Sequence, residues 1–230
     1  MPITTARAPL ARKGQPLVAN FSPASTVLGD GTAVCMRPIR PDDKERLRIA
    51  FAGLSARSVY QRFLYRKKEL AADDLRRLTE IDFRDHVGIV LTVAAGGDER
   101  LIAVGRYVRV ISGGDSAEVA FTVADDYQNR GAATLLLCEL VAIARENGVR
   151  KFVALVLSHN REMLDVFRHS KLPLRQSFVD GACHVVLNLD VAAPDQTERR
   201  RSGENLRGVA SYGLNRKSNP VKGDHPWVGP

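Results

Sequence analysis

The stretch Ala117-Glu-Val-Ala-Phe-Thr-Val-Ala-Asp-Asp-Tyr-Gln-Asn-Arg-Gly-Ala-Ala-Thr134, with the apolar run after it, decides the fold. Ala117 to Val123 is rich in β-branched and aromatic residues, which suits a strand. Asp125 and Asp126 punctuate it. Gln128-Asn-Arg-Gly-Ala-Ala133 then opens a helix that runs to about Asn147, with Gly148 placed to cap it. A turn of this kind leaves backbone N–H groups unpaired and pointing outward. Small residues there let an anion approach the main chain closely. The stretch therefore reads first as a phosphate or pyrophosphate cradle.

Working upstream, three strands form a meander. Val87 to Val93 and Leu101 to Ile111 are β-rich, with Gly96-Gly97-Asp98 turning the first into the second. Gly113-Gly114-Asp115 turns the second into the strand that carries Glu118. Before them, Asp30-Gly31 marks a hairpin between Thr26-Val-Leu28 and Thr32 to Met36. Asp42 or Asp43 caps a helix of about Lys44 to Leu54. Ser55 starts a short helix, and Ala72 to Leu78 continues the helical layer. Downstream, Lys151 to Leu157 is nearly all apolar, as befits a strand buried on both faces. Asn160 to about His169 is helical, and Leu174 to Phe178 and Cys183 to Leu189 pair around Asp180-Gly181. The strand after the long helix lies parallel beside the one before it, through a right-handed crossover. With two or three helices in the early helical layer, the order β-β-α-α-(α)-β-β-β-α-β-α-β-β predicts an α/β fold whose central sheet is mixed and mostly antiparallel, with helices on both faces.

The chain has 230 residues, 44% of them hydrophobic, ample for one core with tails. Residues 1–24, rich in Pro, Ala, Thr and Arg, and residues 194–230, rich in Pro and Gly with Arg199 to Arg201 among them, lack periodicity and are expected to be a disordered arm and a disordered basic tail. Residues 25–193 form the folded domain. No apolar run approaches the ~18 residues that a membrane-spanning helix needs, and Arg7, Arg12 and Lys13 precede no apolar segment, so a cytoplasmic protein is expected. The three cysteines, Cys35, Cys138 and Cys183, are widely spaced and read as buried small hydrophobes, with no metal site expected. The net charge of +8 is dispersed among acidic residues, so nucleic acid is not an expected partner. Oligomeric state is not readable.

With these elements in order, the chain resembles the GCN5-related N-acetyltransferase (GNAT) superfamily. That family's pattern is a strand, then Gln/Arg-x-x-Gly-x-Gly/Ala, then a long helix, here Gln128-Asn-Arg-Gly131-Ala-Ala133, with a downstream Asn, here Asn160, opening the next helix. Arg37-Pro-Ile-Arg-Pro-Asp42, Leu54-Ser-Ala-Arg-Ser-Val-Tyr-Gln-Arg-Phe63 and Ile81-Asp82 with His86-Val87 look like the bacterial Pat-type protein lysine acetyltransferases. The resemblance implies acetyl-CoA as co-substrate and an amine acceptor. It implies a pyrophosphate held by Gln128, Asn129, Arg130, Gly131, Ala132, Ala133 and Thr134 at the positive end of the helix dipole. Phe121, Thr122 and Val123 would bind the pantetheine arm, joined by Asn160.

Aminolysis of a thioester needs a neutral amine, and a lysine side chain has an unperturbed pKa of about 10.4. A base must remove its proton. Glu118, on the strand leading to the cradle and on one face with Ala120 and Thr122, is the candidate; its apolar neighbours would raise its pKa. Pat-type enzymes carry a Glu in the matching phrase. The position where many relatives place an acidic Tyr holds Phe167, and Leu172-Pro173 replaces the usual Gly-Phe. Ser158 and His159 are outside candidates for an acid. Cys183 beside His184 makes a poor dyad, because consecutive strand residues face opposite ways. Three functions follow: acetylation of a protein lysine, acetylation of a small amine, or a non-catalytic acyl-CoA-binding regulatory role.

Overall fold

The computed structural model describes residues 23–190. The expectations for residues 1–22 and 191–230, the arm and the basic tail, lie outside the described residues. The elements occur in the expected order: β1 (Ala24–Val27), β2 (Ala33–Pro38), α1 (Lys44–Ala52), α2 (Ala56–Phe63), α3 (Ala72–Thr79), β3 (His86–Ala95), β4 (Asp98–Arg109), β5 (Ser116–Val123), α4 (Ala132–Glu146), β6 (Lys151–Leu157), α5 (Arg161–Arg168), β7 (Leu174–Val179) and β8 (Ala182–Asn188). One eight-stranded sheet contains them in the order β1-β2-β3-β4-β5-β6-β8-β7. Every neighbouring pair is antiparallel except β5 and β6.

Two cores sit on opposite faces, as strand alternation requires. On one face α4 lays Leu136, Leu137, Leu140 and Ala144 against Val87, Ile89, Leu91, Ile102 and Tyr107. On the other, Leu47, Phe51 and Val59 from α1 and α2 cover Val90, Leu101 and Val104. The crossing of α4 over β4 is close. A Cβ on Gly105 would lie 3.0 Å from Leu136 Cβ and 3.1 Å from Leu140 Cδ1, so any larger residue would press α4 outward from the sheet.

Several boundaries differ from the expected ones. The N-terminal hairpin begins at Ala24, one residue inside the expected arm. Ser55 is the N-cap of α2, its Oγ accepting from Ser58 N–H, rather than its first helical residue. Helix α1 stops at Ala52, and β4 at Arg109. The largest change is in the cradle: Gln128 to Arg130 are not helical. A 3-10 turn at Asp125–Tyr127 is followed by extended Gln128 and left-handed Asn129 and Gly131, and the helix opens only at Ala132. Of the cysteines, Cys183 is buried, but Cys35 is half-buried and Cys138 exposed on α4, because Cys138 falls outside the apolar stripe of that helix.

A buried ion cluster fastens α1 to the sheet. Arg37 on β2 is 1% exposed and Asp43 fully buried; the guanidinium donates to both Asp43 carboxylate oxygens, at 2.7 and 2.8 Å, and to Glu99 Oε2 on β4 at 2.7 Å. Despite burial, Arg37 holds the Asp43 carboxyl below its usual range.

Candidate active site

The site begins with a ladder that stops early. β5 pairs with β4 over all but its first residue, from Ala117 opposite Arg109 to Val123 opposite Ala103. It pairs with β6 at only three positions, Ser116, Ala117 and Glu118, the last opposite Val153. From Val119 onward the two strands separate, and that edge of β5 faces a cleft of about 1690 Å³. Phe121, Thr122, Val123, Gln128, Asn129, Gly131, Ala132, Ala133, Thr134 and Asn160 all line this cleft, together with Glu118.

The floor of the cleft is the N-terminus of α4. Leu135 N–H to Gly131 O is its first intrahelical bond, so the N–H groups of Ala132, Ala133 and Thr134 precede the ladder and carry the positive end of the dipole. Gly131 is the N-cap at φ +87°. The left-handed backbone is what demands glycine there, since the nearest atom to an added Cβ is Gly29 N at 4.0 Å. Ala132 and Ala133 are small and buried. These groups fit a pyrophosphate, which needs clustered N–H donors and close approach.

Side chains around the cradle are engaged in holding it. Gln128 Nε2 lies 3.0 Å from Ser58 Oγ, 3.0 Å from Asp125 Oδ1 and 3.2 Å from Val123 O. Asp125 in turn accepts from Ser55 N–H at 2.7 Å and from the Ser58 hydroxyl. One carboxylate thus ties α2 to the turn between β5 and α4. Sequence alone read Asp125 as punctuation; an Asp facing two serines some 70 residues away leaves no local signal. Arg130 extends away from the cleft lining. It pairs with Asp30 at 2.8 Å and lies over the Tyr127 ring, while its carbonyl accepts from Gly29 N–H. Asn160 spends its amide oxygen capping α5 through Met163 N–H at 3.2 Å. Ser158 and His159 are exposed and lie outside the cleft lining. Phe167 packs edge-on against Phe121 with centroids 6.2 Å apart. Cys183 is buried and its thiol is pushed up by burial, while His184 faces the other way, into the cleft.

Glu118 stands where the strands part. Burial pushes its carboxyl up to about 7, against the pull of the Arg62 cation on α2. No group of three or more His, Cys, Asp and Glu side chains able to hold a metal occurs among the described residues. No helix among them is long and apolar enough to cross a membrane.

A mixed sheet forked beside a helix N-terminus defines an acyltransferase of the GNAT class. The chain belongs to that family: residues 33–172 match the Acetyltransferase (GNAT) domain, and it is an N-acetyltransferase. It is 35% identical to an acetyltransferase of Pseudomonas aeruginosa over 139 residues, which span 60% of this chain and 74% of that protein. It is 38% identical to acetyltransferase Pat of Mycolicibacterium smegmatis over 65% of this chain, but spans only 44% of that longer protein. The crystal structure of the GNAT domain of S. lividans PAT superposes with a TM-score of 0.65 at 40% identity, covering 72% of this chain and 96% of that one.

Proposed function

We propose that the protein transfers an acetyl group from acetyl-CoA to the side-chain amine of a protein lysine, with Glu118 as general base. Acetyl-CoA supplies the activated acetyl thioester. The N–H groups of Ala132, Ala133 and Thr134, with the left-handed turn at Asn129 and Gly131, would hold its pyrophosphate. The unpaired edge of β5 at Phe121 to Val123 would hold the pantetheine arm as a further strand does. Glu118 takes one proton from the acceptor ammonium and later releases it to solvent; the freed nitrogen attacks the thioester carbonyl carbon, the C–N bond forms as the C–S bond breaks, CoA leaves as the thiolate, and the nitrogen's second proton passes through solvent to that thiolate, giving the amide and free CoA.

The observation that carries this is the position of Glu118: the last β5 residue paired to β6, in the same cleft as the α4 N-terminus, with a carboxyl that titrates near 7. A base is most effective when its pKa lies near the working pH. A protein acceptor is supported by the likeness to Pat. The test is transfer of labelled acetyl from acetyl-CoA into a lysate proteome beside a panel of small amines, with Glu118→Gln as control. Label on proteins with wild type alone is expected; label on small amines only overturns the protein acceptor.

A further inference from the structure

Two arginines border one small cavity beside Ala120 and Thr122, on the Glu118 face of β5. Arg106 on β4 lies opposite Ala120 in the β4–β5 ladder and is 5% exposed. Its guanidinium meets His86 Nε2 at 3.2 Å and the Leu78 carbonyl at 3.5 Å. Both are neutral partners, since burial and the Arg106 charge pull His86 down to about 3, against a weaker opposite pull from Asp82. Arg62 on α2 lines two spaces at once. It borders a small cavity of about 40 Å³ with Arg106, Ala120 and Thr122, and it borders the cleft with Glu118. Its guanidinium carbon lies 4.9 Å from the Phe63 ring centre. Burial, then the like charge of Arg106, pulls Arg62 down to about 9, with Glu118 and Tyr65 acting the other way.

Val108 on β4 and Val153 on β6 are the ladder partners of Glu118, and His184 of β8 and Asp115 lie further along the cleft. Burial raises the Glu118 carboxyl, and the Arg62 charge opposes that rise. Such a charge favours an ionised carboxylate and repels an ammonium, and those are the charge states that amine acylation requires of base and nucleophile. Arg106, held by neutral partners at the rear, leaves Glu118 as the anion toward which Arg62 is drawn.

The geometry points to Arg62 as the positioning residue that keeps the Glu118 side chain an ionised base and disfavours the charged form of the incoming amine. This rests on Glu118 being the base. The test is a titration of the protein with ¹³C-labelled glutamate, following the Glu118 carboxyl resonance (assigned by its loss in Glu118→Gln) in wild type, Arg62→Met and Arg62→Lys. Arg62→Gln replaces the Met variant if that does not fold, and unchanged CoA affinity verifies the site in each. The midpoint is expected to rise by roughly 1 pH unit in Arg62→Met and to return toward the wild-type value in Arg62→Lys. The acidic limb of kcat/KM for lysine acetylation should move with it. A midpoint that stays in place in Arg62→Met, with Glu118→Gln inactive, overturns this inference alone. A Glu118→Gln enzyme with wild-type turnover overturns the base assignment, and this inference with it.

Discussion

Glu118 and Val153 form the last rung of the β5–β6 ladder, and the cleft opens immediately beyond them. The base candidate is thus fixed by sheet pairing on one side while its neighbours in β5 face a free edge. A side chain at this fork is held by regular structure yet reaches the space where an acceptor and a thioester would meet.

Turnover should follow the ionisation of Glu118. Its carboxyl is pushed up to about 7, and the proposed base role needs the ionised form, so kcat/KM should fall about tenfold per unit as pH drops below that value. Glu118→Gln should lose on the order of 10²- to 10⁴-fold in kcat while its CoA affinity, measured by calorimetry, stays that of wild type. A flat profile between pH 5.5 and 7 would rule Glu118 out as the rate-controlling base.

The same shift has a stability consequence. The folded pKa is raised from 4.5 to about 7, so between these values the native state binds more protons than the unfolded chain, and stability falls as pH rises through the window. Glu118→Gln should therefore be more stable than wild type at pH 8, by roughly 3 kcal/mol. The difference should vanish near pH 4. Urea melts at both pH values measure it.

Removing the Arg37 charge should be severe. Asp43 is fully buried beneath it, and stripping one partner from a buried pair costs about 3–5 kcal/mol. Arg37→Met should lower the urea midpoint accordingly, and the double variant Arg37→Met/Asp43→Leu should recover part of the loss.

At the cradle, Gly131→Val places a β-branched residue at φ +87°. A left-handed conformation costs an ordinary residue about 1–2 kcal/mol, more with β-branching. The variant should bind CoA at least tenfold more weakly while the fold, followed by circular dichroism, persists.

Asp125→Ala should act through α2. It removes the acceptor shared by Ser55 N–H, Ser58 and Gln128, a charged hydrogen-bond cluster whose members contribute about 1.5–3 kcal/mol each. KM for acetyl-CoA should rise more than kcat falls, because the damage is to the walls of the cleft rather than to Glu118.

What the sequence by itself determined is everything whose signal is local or periodic. Alternation placed Glu118 on a face with Ala120 and Thr122, turn residues marked the meander and hairpins, and the run after Gly131 announced a long helix. The order of the elements was legible, with only the third helix of the early layer left open, and with it the family. What only the tertiary structure decided depends on residues far apart in the chain. The three-rung β5–β6 pairing, Asp125 gripping α2, Arg130 turned to Asp30, and Arg62 and Arg106 brought to one cavity on the Glu118 face of β5 leave no trace in spacing or propensity. Gln128 to Arg130 likewise stay out of the helix because left-handed Asn129 and Gly131 and the hydrogen bond from Gly29 to Arg130 hold them. Local backbone preference writes secondary structure into short windows; the burial and charge pairing that tune a site arise only when the sheet closes over distant segments.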